Sequence, residues 1–333
     1  MRFFLAIPIF FVSLFSLFSQ NNSDKSPYKI MFYNVENLFD TVDDPATNDD
    51  EFTPSGDRHW TTKKLDQKIG NIAKVFVAAA EWNSPALIGL CEIENQFVLE
   101  KLINHPLLRN QEYRIIHKDS PDHRGIDVAI LYRKDLFNPT DYSTIPIVNE
   151  DKDTIATREI LHVEGKFTNG KECHFFVNHW PSRYGGLMET DSNRKLAAIC
   201  LKQAIDKILI ENPESNIICM GDFNDQPEDE SISTILGASS KLDNESMLIN
   251  ISSDWNSGGQ TGTIKHQQEW AVFDQFIITR NLGSSTKAHI FNKAFLLEPD
   301  TKYTGFKPDR TFAGFRYTGG FSDHLPILLE LQK

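Results

Sequence analysis

Cysteine is scarce in this 333-residue chain. Cys91, Cys173, Cys200 and Cys219 are spaced too widely for a zinc site, and each is set in an apolar segment rather than a loop, which excludes a clustered thiolate centre. The plain reading is four small buried side chains, with a Cys91–Cys219 bridge open in an oxidising compartment if their strands are neighbours. Positive charge is also short, 34 Lys and Arg against 46 Asp and Glu for a net charge of −12. That excludes adhesion of the whole surface to polyanions; any such grip has to come from a local patch. No repeat, low-complexity tract or Pro/Ser linker marks a boundary, so residues 21–333 are expected to form one domain.

What is present begins at the amino end. Arg2 precedes sixteen uncharged residues, Phe3 to Phe18, followed by Ser19-Gln20-Asn21-Asn22-Ser23. The run is short for a membrane span and its charge lies on the amino side, so residues 1–20 read as an export signal, with a periplasmic or secreted mature protein that keeps no stable span. No cysteine stands near its end, which argues against a lipid anchor, while the lack of a good small-x-small cleavage site leaves an uncleaved anchor as the alternative. Asp40–Glu51 packs six acids into twelve residues and reads as a solvated loop, with a structural calcium site as the alternative.

Hydrophobic periodicity predicts strands at Lys29–Tyr33, Ala86–Cys91, Asp127–Tyr132, Glu159–Phe167, Glu172–Asn178, Asn216–Met220, Trp270–Thr279 and Leu325–Leu331. It predicts helices at Thr61–Glu81, Phe97–Leu108 and Ser192–Ile210, with a short one at Ser231–Leu236. Strands and helices mix without a regular βαβ beat, which suggests an α/β (α+β) protein with a pair of mixed sheets flanked by helices. Several strands end directly on Asn, Asp, Glu or His, so polar groups are expected to converge at one sheet edge.

Five segments carry the chemistry: Tyr33-Asn34-Val35-Glu36-Asn37, Cys91-Glu92-Ile93-Glu94, Asn178-His179-Trp180-Pro181-Ser182-Arg183, Gly221-Asp222-Phe223-Asn224 and Ser322-Asp323-His324. Cleaving a phosphodiester needs a hard cation for the phosphoryl oxygens, a base for water and an acid for the leaving oxygen, and carboxylates, amides and histidines supply these parts. Singly, each segment has a bland explanation: a solvated strand end for Glu92, an Asx-turn for Asp222 and Asn224, a loop cap for Asp323. Asp274, in Phe273-Asp274-Gln275-Phe276, is a candidate to orient His324. All five in this order are hard to explain as coincidence.

The ordered set resembles the endonuclease/exonuclease/phosphatase superfamily, the DNase I-like proteins, over about Tyr28 to Leu331. The resemblance implies a four-layer sandwich with two central mixed β-sheets flanked by helices and the active site at one sheet edge. It implies Glu92 as principal ligand of Mg²⁺ or Mn²⁺, with Ca²⁺ a further option, Asn34 beside it near metal and phosphate, and Asp323 as a second metal-side carboxylate. Asp222 would act on the attacking water or the leaving oxygen, Asn224 would hold the phosphate, and His324 with Asp274 and His179 would be the catalytic imidazoles. Asp127 is a candidate to orient His179, and Glu36 and Glu94 are expected in supporting or solvated roles.

Of Arg158, Arg183 and Arg194, Arg183 is the preferred grip on phosphate, while Thr263 and Trp270 are either groove-shaping or simply packed. The expected protein is a monomeric, metal-dependent nuclease acting on DNA or RNA. The alternatives are a lipid or sugar phosphodiesterase on the same scaffold, and a binding protein that no longer turns over.

Overall fold

Leu65, Ile69, Ile72, Val75, Phe76 and Ala79 recur at three- and four-residue intervals and form the buried face of helix α1, Thr62–Ala80. A second helix, α2 (Gln96–Ile103), starts at Asn95, whose side chain accepts the Val98 amide at 3.1 Å and so caps it. Helix α3 spans Leu187–Glu211. The computed structural model describes residues 26–333 apart from 82, 150, 184–185, 241–245 and 258–260, so the expected export signal lies outside the described residues. Among the described residues no helix is long and apolar enough to cross a membrane.

Two mixed sheets stand between the helices. The six-stranded sheet runs Thr286–Ile290, Ile327–Leu331, Tyr28–Leu38, Leu87–Ile93, Asp127–Arg133, Tyr113–His117. The seven-stranded sheet runs Phe137–Ile145, Ile160–Phe167, Glu172–His179, Ile217–Asp222, Asp274–Thr279, Leu248–Asn250, Ala238–Ser239. Ile30, Phe32, Leu87 and Ile130 of the first pack against Val163, Phe175, Met220 and Phe276 of the second, which closes the middle of the sandwich. On the outer faces, α1 and α2 cover the first sheet, while α3 covers the second through Ala197, Leu201 and Ile205. Each such Val, Leu, Ile, Phe or Met side chain, taken fully from water, contributes about 1.5–3 kcal/mol. The expected four-layer sandwich is therefore present.

The cysteines are buried and free. Cys91 belongs to the six-stranded sheet and points into the layer between the sheets, whereas Cys219 belongs to the seven-stranded sheet and points toward α3. Their strands lie in different sheets and the two side chains point into different layers, which rules out a bridge between them.

His162 stacks on Phe176 with ring centroids 4.4 Å apart and shares a 3.1 Å hydrogen bond with His174. Burial, then the neighbouring His174, pushes the His162 imidazole down from 6.5 to about 4. The unfolded chain therefore binds this proton more readily than the folded one, and the sign follows: stability is complete above pH 6.5 and is lost as the pH falls toward about 4. Thermal melts across that window should show a shallower acid loss for His162→Phe than for the wild type; equal slopes would contradict this.

Strand register sets the site. Glu172–His179 and Ile217–Asp222 run parallel with His179 opposite Asp222, and the next strand places Asp274 opposite Asp222 on its other side. Three polar groups thus end side by side. Gly221 permits the approach, since a Cβ there would lie 2.4 Å from the Asn178 carbonyl oxygen and 2.5 Å from the Asn178 Cβ. Gly221→Ala should cost about 1–3 kcal/mol of stability by forcing these strands apart, and a urea melt paired with an activity assay should show both falling together.

Candidate active site

Two breaks in strand pairing aim the acids. Along Leu87–Ile93 the register with Asp127–Arg133 shifts between Cys91 and Ile93, and the intervening Glu92 takes φ +61°. Along Tyr28–Leu38 a shift between Asn34 and Leu38 accompanies φ +53° at Glu36 and +56° at Asn37. A bulge turns a side chain out of the alternating pattern, and left-handed non-glycine residues persist only where the surroundings hold them. Alternation predicts Glu94 on the same face as Glu92, but the bulge breaks that count, and Glu94 instead accepts the Asp40 amide.

The expected residues meet. Asn34 Nδ2 donates to Asp222 Oδ2 at 3.0 Å, although 188 residues separate them. His179 Nε2 lies 3.9 Å from Glu92 Oε1 and 3.9 Å from Asp222 Oδ2. His324 Nε2 is 3.7 Å from Asp222 Oδ2, and its Nδ1 is 2.7 Å from Asp274 Oδ2. Asn224, with φ +52°, donates its backbone amide to Asp222 Oδ1 at 2.9 Å and its side-chain amide to the Trp180 carbonyl at 3.0 Å. An amide carries two hydrogens, so the second is available to a ligand. Ser322 Oγ donates to the Asn34 carbonyl at 2.7 Å and accepts the His324 amide at 3.1 Å, which pins the His324 loop to the first strand.

The two imidazoles are driven apart in charge. Burial opposes a proton on His324, but Asp274 and Asp222 outweigh it and raise the group well above the ordinary histidine range. His179, depressed first by burial and then by Arg158, Arg124 and His324, is held neutral. Burial lifts Asp222 to about 6, against the pull of His324. One charged and one neutral histidine on either side of a buried carboxylate is an arrangement suited to proton transfer and anion stabilisation.

A hard cation fits the donors on the Glu92 side. Among the described residues Glu92 Oε2 accepts only the Asn37 amide, at 2.8 Å, with Arg124 no nearer than 3.9 Å and His179 3.9 Å from Oε1, which leaves carboxylate oxygen lone pairs for an ion, and the Asn34 amide is one strand over at the Cys91 level. Such oxygens suit Mg²⁺, Mn²⁺ or Ca²⁺. Asp222, Asp274 and His324 also offer ligand atoms within 4.8 Å of one another, but His324 Nδ1 is spent on Asp274, which makes this trio a hydrogen-bonded relay. Asp323, expected to be metal-side, turns its carboxylate to Arg310 Nη2 at 2.6 Å.

Some other expectations are corrected and others hold. Asp127 does not orient His179; it accepts His117 Nε2 at 3.2 Å and the Ser120 amide at 2.8 Å, while His179 Nδ1 is buried without a partner among the described residues. Glu36 is 5% exposed and accepts the Thr311 amide, so it is not solvated. Arg183 spends Nε on the Asn224 carbonyl and Nη2 on Asp225 and Asp229, a placement that braces the Asn224 loop. Arg158 and Arg194 are buried on Asp122 and Asp225. Thr263 shapes no groove: fully buried, it accepts the Phe273 and Asp274 amides and fixes the start of that strand. Trp270 is half-buried and lines a separate cavity with Lys265 and Phe306. In the Asp40–Glu51 segment, Asp40 and Asp44 cap their own turn amides, and Asp49 is buried on the Asp44 amide.

Sequence reasoning did not find Arg124, Lys68 or Arg310. Arg124, which bonds Asn37 beside Glu92, lies three residues before Asp127. Lys68 lies inside α1, where its position on the apolar face was the available signal, and it reaches Thr311 and the Phe321 carbonyl.

Residues 29–333 match the model of the Endonuclease/Exonuclease/phosphatase family. No curated protein matches the chain. Among solved structures, an endonuclease/exonuclease/phosphatase family protein from Bacteroides thetaiotaomicron superposes with TM-score 0.59 at 14% identity, over 92% of this chain and 98% of its own. The human nocturnin catalytic domain with bound sulfate superposes with TM-score 0.55 at 15% identity, over 91% and 93%. TDP2 from D. rerio, complexed with a single-strand DNA product, does so with TM-score 0.56 at 15% identity, over 92% and 100%. At these identities the likeness is one of fold.

Proposed function

The chain belongs to the endonuclease/exonuclease/phosphatase family, and from that premise we propose that it is an exported, divalent-metal-dependent nuclease that hydrolyses phosphodiester bonds in DNA or RNA. The observation that carries this reading is the meeting of Glu92, His179, Asp222 and His324, from four separate strands and loops, within 4 Å steps of one another. A binding protein would have no use for a buried carboxylate set between a charged and a neutral imidazole. Export is inferred from the apolar run Phe3–Phe18, and a nucleic-acid substrate is supported by the DNA product held by the D. rerio TDP2 neighbour.

Glu92, with Asn34 beside it, would hold the cation, whose chemistry is to neutralise charge on the phosphoryl oxygens. The chain's own residues do the rest. Asp222, kept in place by Asn34 and by the Asn224 amide, accepts the proton of the attacking water at Oδ2. His324, charged through Asp274, passes its Nε2 proton to the leaving oxygen as that P–O bond breaks, is recharged by the proton on Asp222 3.7 Å away, and steadies the negative charge building on the phosphoryl group. Asn224 offers its second amide hydrogen, and neutral His179 contacts the same group from the Glu92 side.

The test is a parallel assay of plasmid DNA, RNA, sphingomyelin and a small aryl phosphodiester, with Mg²⁺, Mn²⁺ or Ca²⁺ and with chelator. Nucleic-acid cleavage abolished by chelator is expected. Preferential cleavage of sphingomyelin would redirect the substrate assignment, and no cleavage of any substrate would end the enzymatic reading.

A further inference from the structure

Glu36 and Asp323 adjoin the Glu92 site in a different electrostatic setting. Asp323 Oδ2 accepts from Arg310 Nη2 at 2.6 Å, and Arg310 Nε stands 3.7 Å from Glu36 Oε1. Glu36 Oε2 accepts the Thr311 amide at 2.7 Å. Lys68, 1% exposed, enters the same network from α1, donating to Thr311 Oγ1 and to the Phe321 carbonyl two residues before Asp323. Asn71, one helical turn on, holds the Gly319 and Gly320 carbonyls and keeps this loop against the helix. Two carboxylates are therefore matched by two cations built into the chain.

The Glu92 side is the reverse. Among the described residues, no cationic side chain is within hydrogen-bonding distance of the Glu92 or Asp222 carboxylates; Arg124 and the two imidazoles stand 3.7 to 3.9 Å away. Negative charge is balanced on one side of the site and left over on the other.

We propose that Arg310, backed by Lys68, takes the electrostatic place of a second divalent cation, so that the site holds one ion, on Glu92, and Asp323 anchors the guanidinium instead of ligating metal. This rests on the metal-dependent reading above. A guanidinium in a close charge-assisted pair supplies positive charge and occupies an Oδ2 lone pair that an ion would otherwise use. A second ion on Asp323 would have to displace it and then sit close to the buried Lys68 ammonium.

Mn²⁺ binding to the full mature chain, followed by electron paramagnetic resonance, tests this, counting only ions lost in Glu92→Gln so that other acidic segments do not contribute. One such ion is expected in the wild type, two spin-coupled ions in Arg310→Gln, and one again in Arg310→Lys, where the charge is restored. Two Glu92-dependent ions in the wild type, or one in a folded Arg310→Gln, would overturn the inference and leave the metal-dependent reading standing. Asp323→Asn gives an independent measure should Arg310→Gln not fold. It should weaken Mn²⁺ binding by about tenfold, as loss of an outer partner does, whereas a loss as complete as that of Glu92→Gln would make Asp323 a ligand and overturn the inference. No Mn²⁺ bound at all would remove the metal-dependent reading together with the inference.

Discussion

His324→Ala is expected to lower kcat about 100- to 10,000-fold, the range spanned by loss of a group that stabilises transition-state charge or transfers a proton. The expectation follows from the 2.7 Å contact of His324 with Asp274 and the 3.7 Å approach to Asp222, which place one imidazolium at the carboxylate proposed to take the water's proton. Deleting the ring leaves Asp274 fully buried without its partner, so about 3 kcal/mol of stability should go as well. Asp274→Asn separates the two effects. It preserves shape but withdraws the charge that orients and protonates the ring, so turnover should still fall at least about 100-fold while circular dichroism remains that of the wild type. Near-normal turnover in either variant would remove the relay from the mechanism.

Glu92→Gln should be nearly as damaging, but in a way that metal partly repairs. Losing an outer partner of a metal site costs about 10- to 100-fold in affinity, so losing the principal ligand should raise the Mg²⁺ requirement by more than about 100-fold. Excess Mg²⁺ should restore part of the activity of Glu92→Gln and none of that of His324→Ala. A Glu92→Gln enzyme with an unchanged Mg²⁺ dependence would place the ion elsewhere.

The sequence spoke most clearly where burial was two-sided. Ala86–Cys91 and Asn216–Met220, expected as strands, are the observed Leu87–Ile93 and Ile217–Asp222, both central in their sheets, and Thr61–Glu81 differs from α1 only at its ends. Of the missed strands, Tyr113–His117, Phe137–Ile145 and Thr286–Ile290 are sheet edges, partly exposed, one containing Pro139, and such segments carry little periodic signal, while Leu248–Asn250 is buried but only three residues long. Trp270–Thr279 divides because Thr263 captures the Phe273 and Asp274 amides from a distant segment, which no local pattern announces.

The same contrast holds at the site. Asn34, Glu92, Asp222 and His324 were legible because each stands at the end of an apolar strand in a short polar motif. Their meeting depends on bulges at Glu92 and Glu36, which periodicity cannot foresee and which also defeated the alternation argument for Glu94. Partners chosen by proximity in space were out of reach: Asp127 belongs to His117, and Arg310 to Asp323 and Glu36.

Crystals of the mature chain grown with Mn²⁺, measured for its anomalous scattering, test most directly whether these residues gather around a cation. A peak about 2.1 Å from a Glu92 carboxylate oxygen, the spacing of a hard octahedral ion, is the expected result. An ion seated only in the Asp40–Glu51 segment or on His117, Asp119 and Asp127, with Glu92 bare, would contradict it.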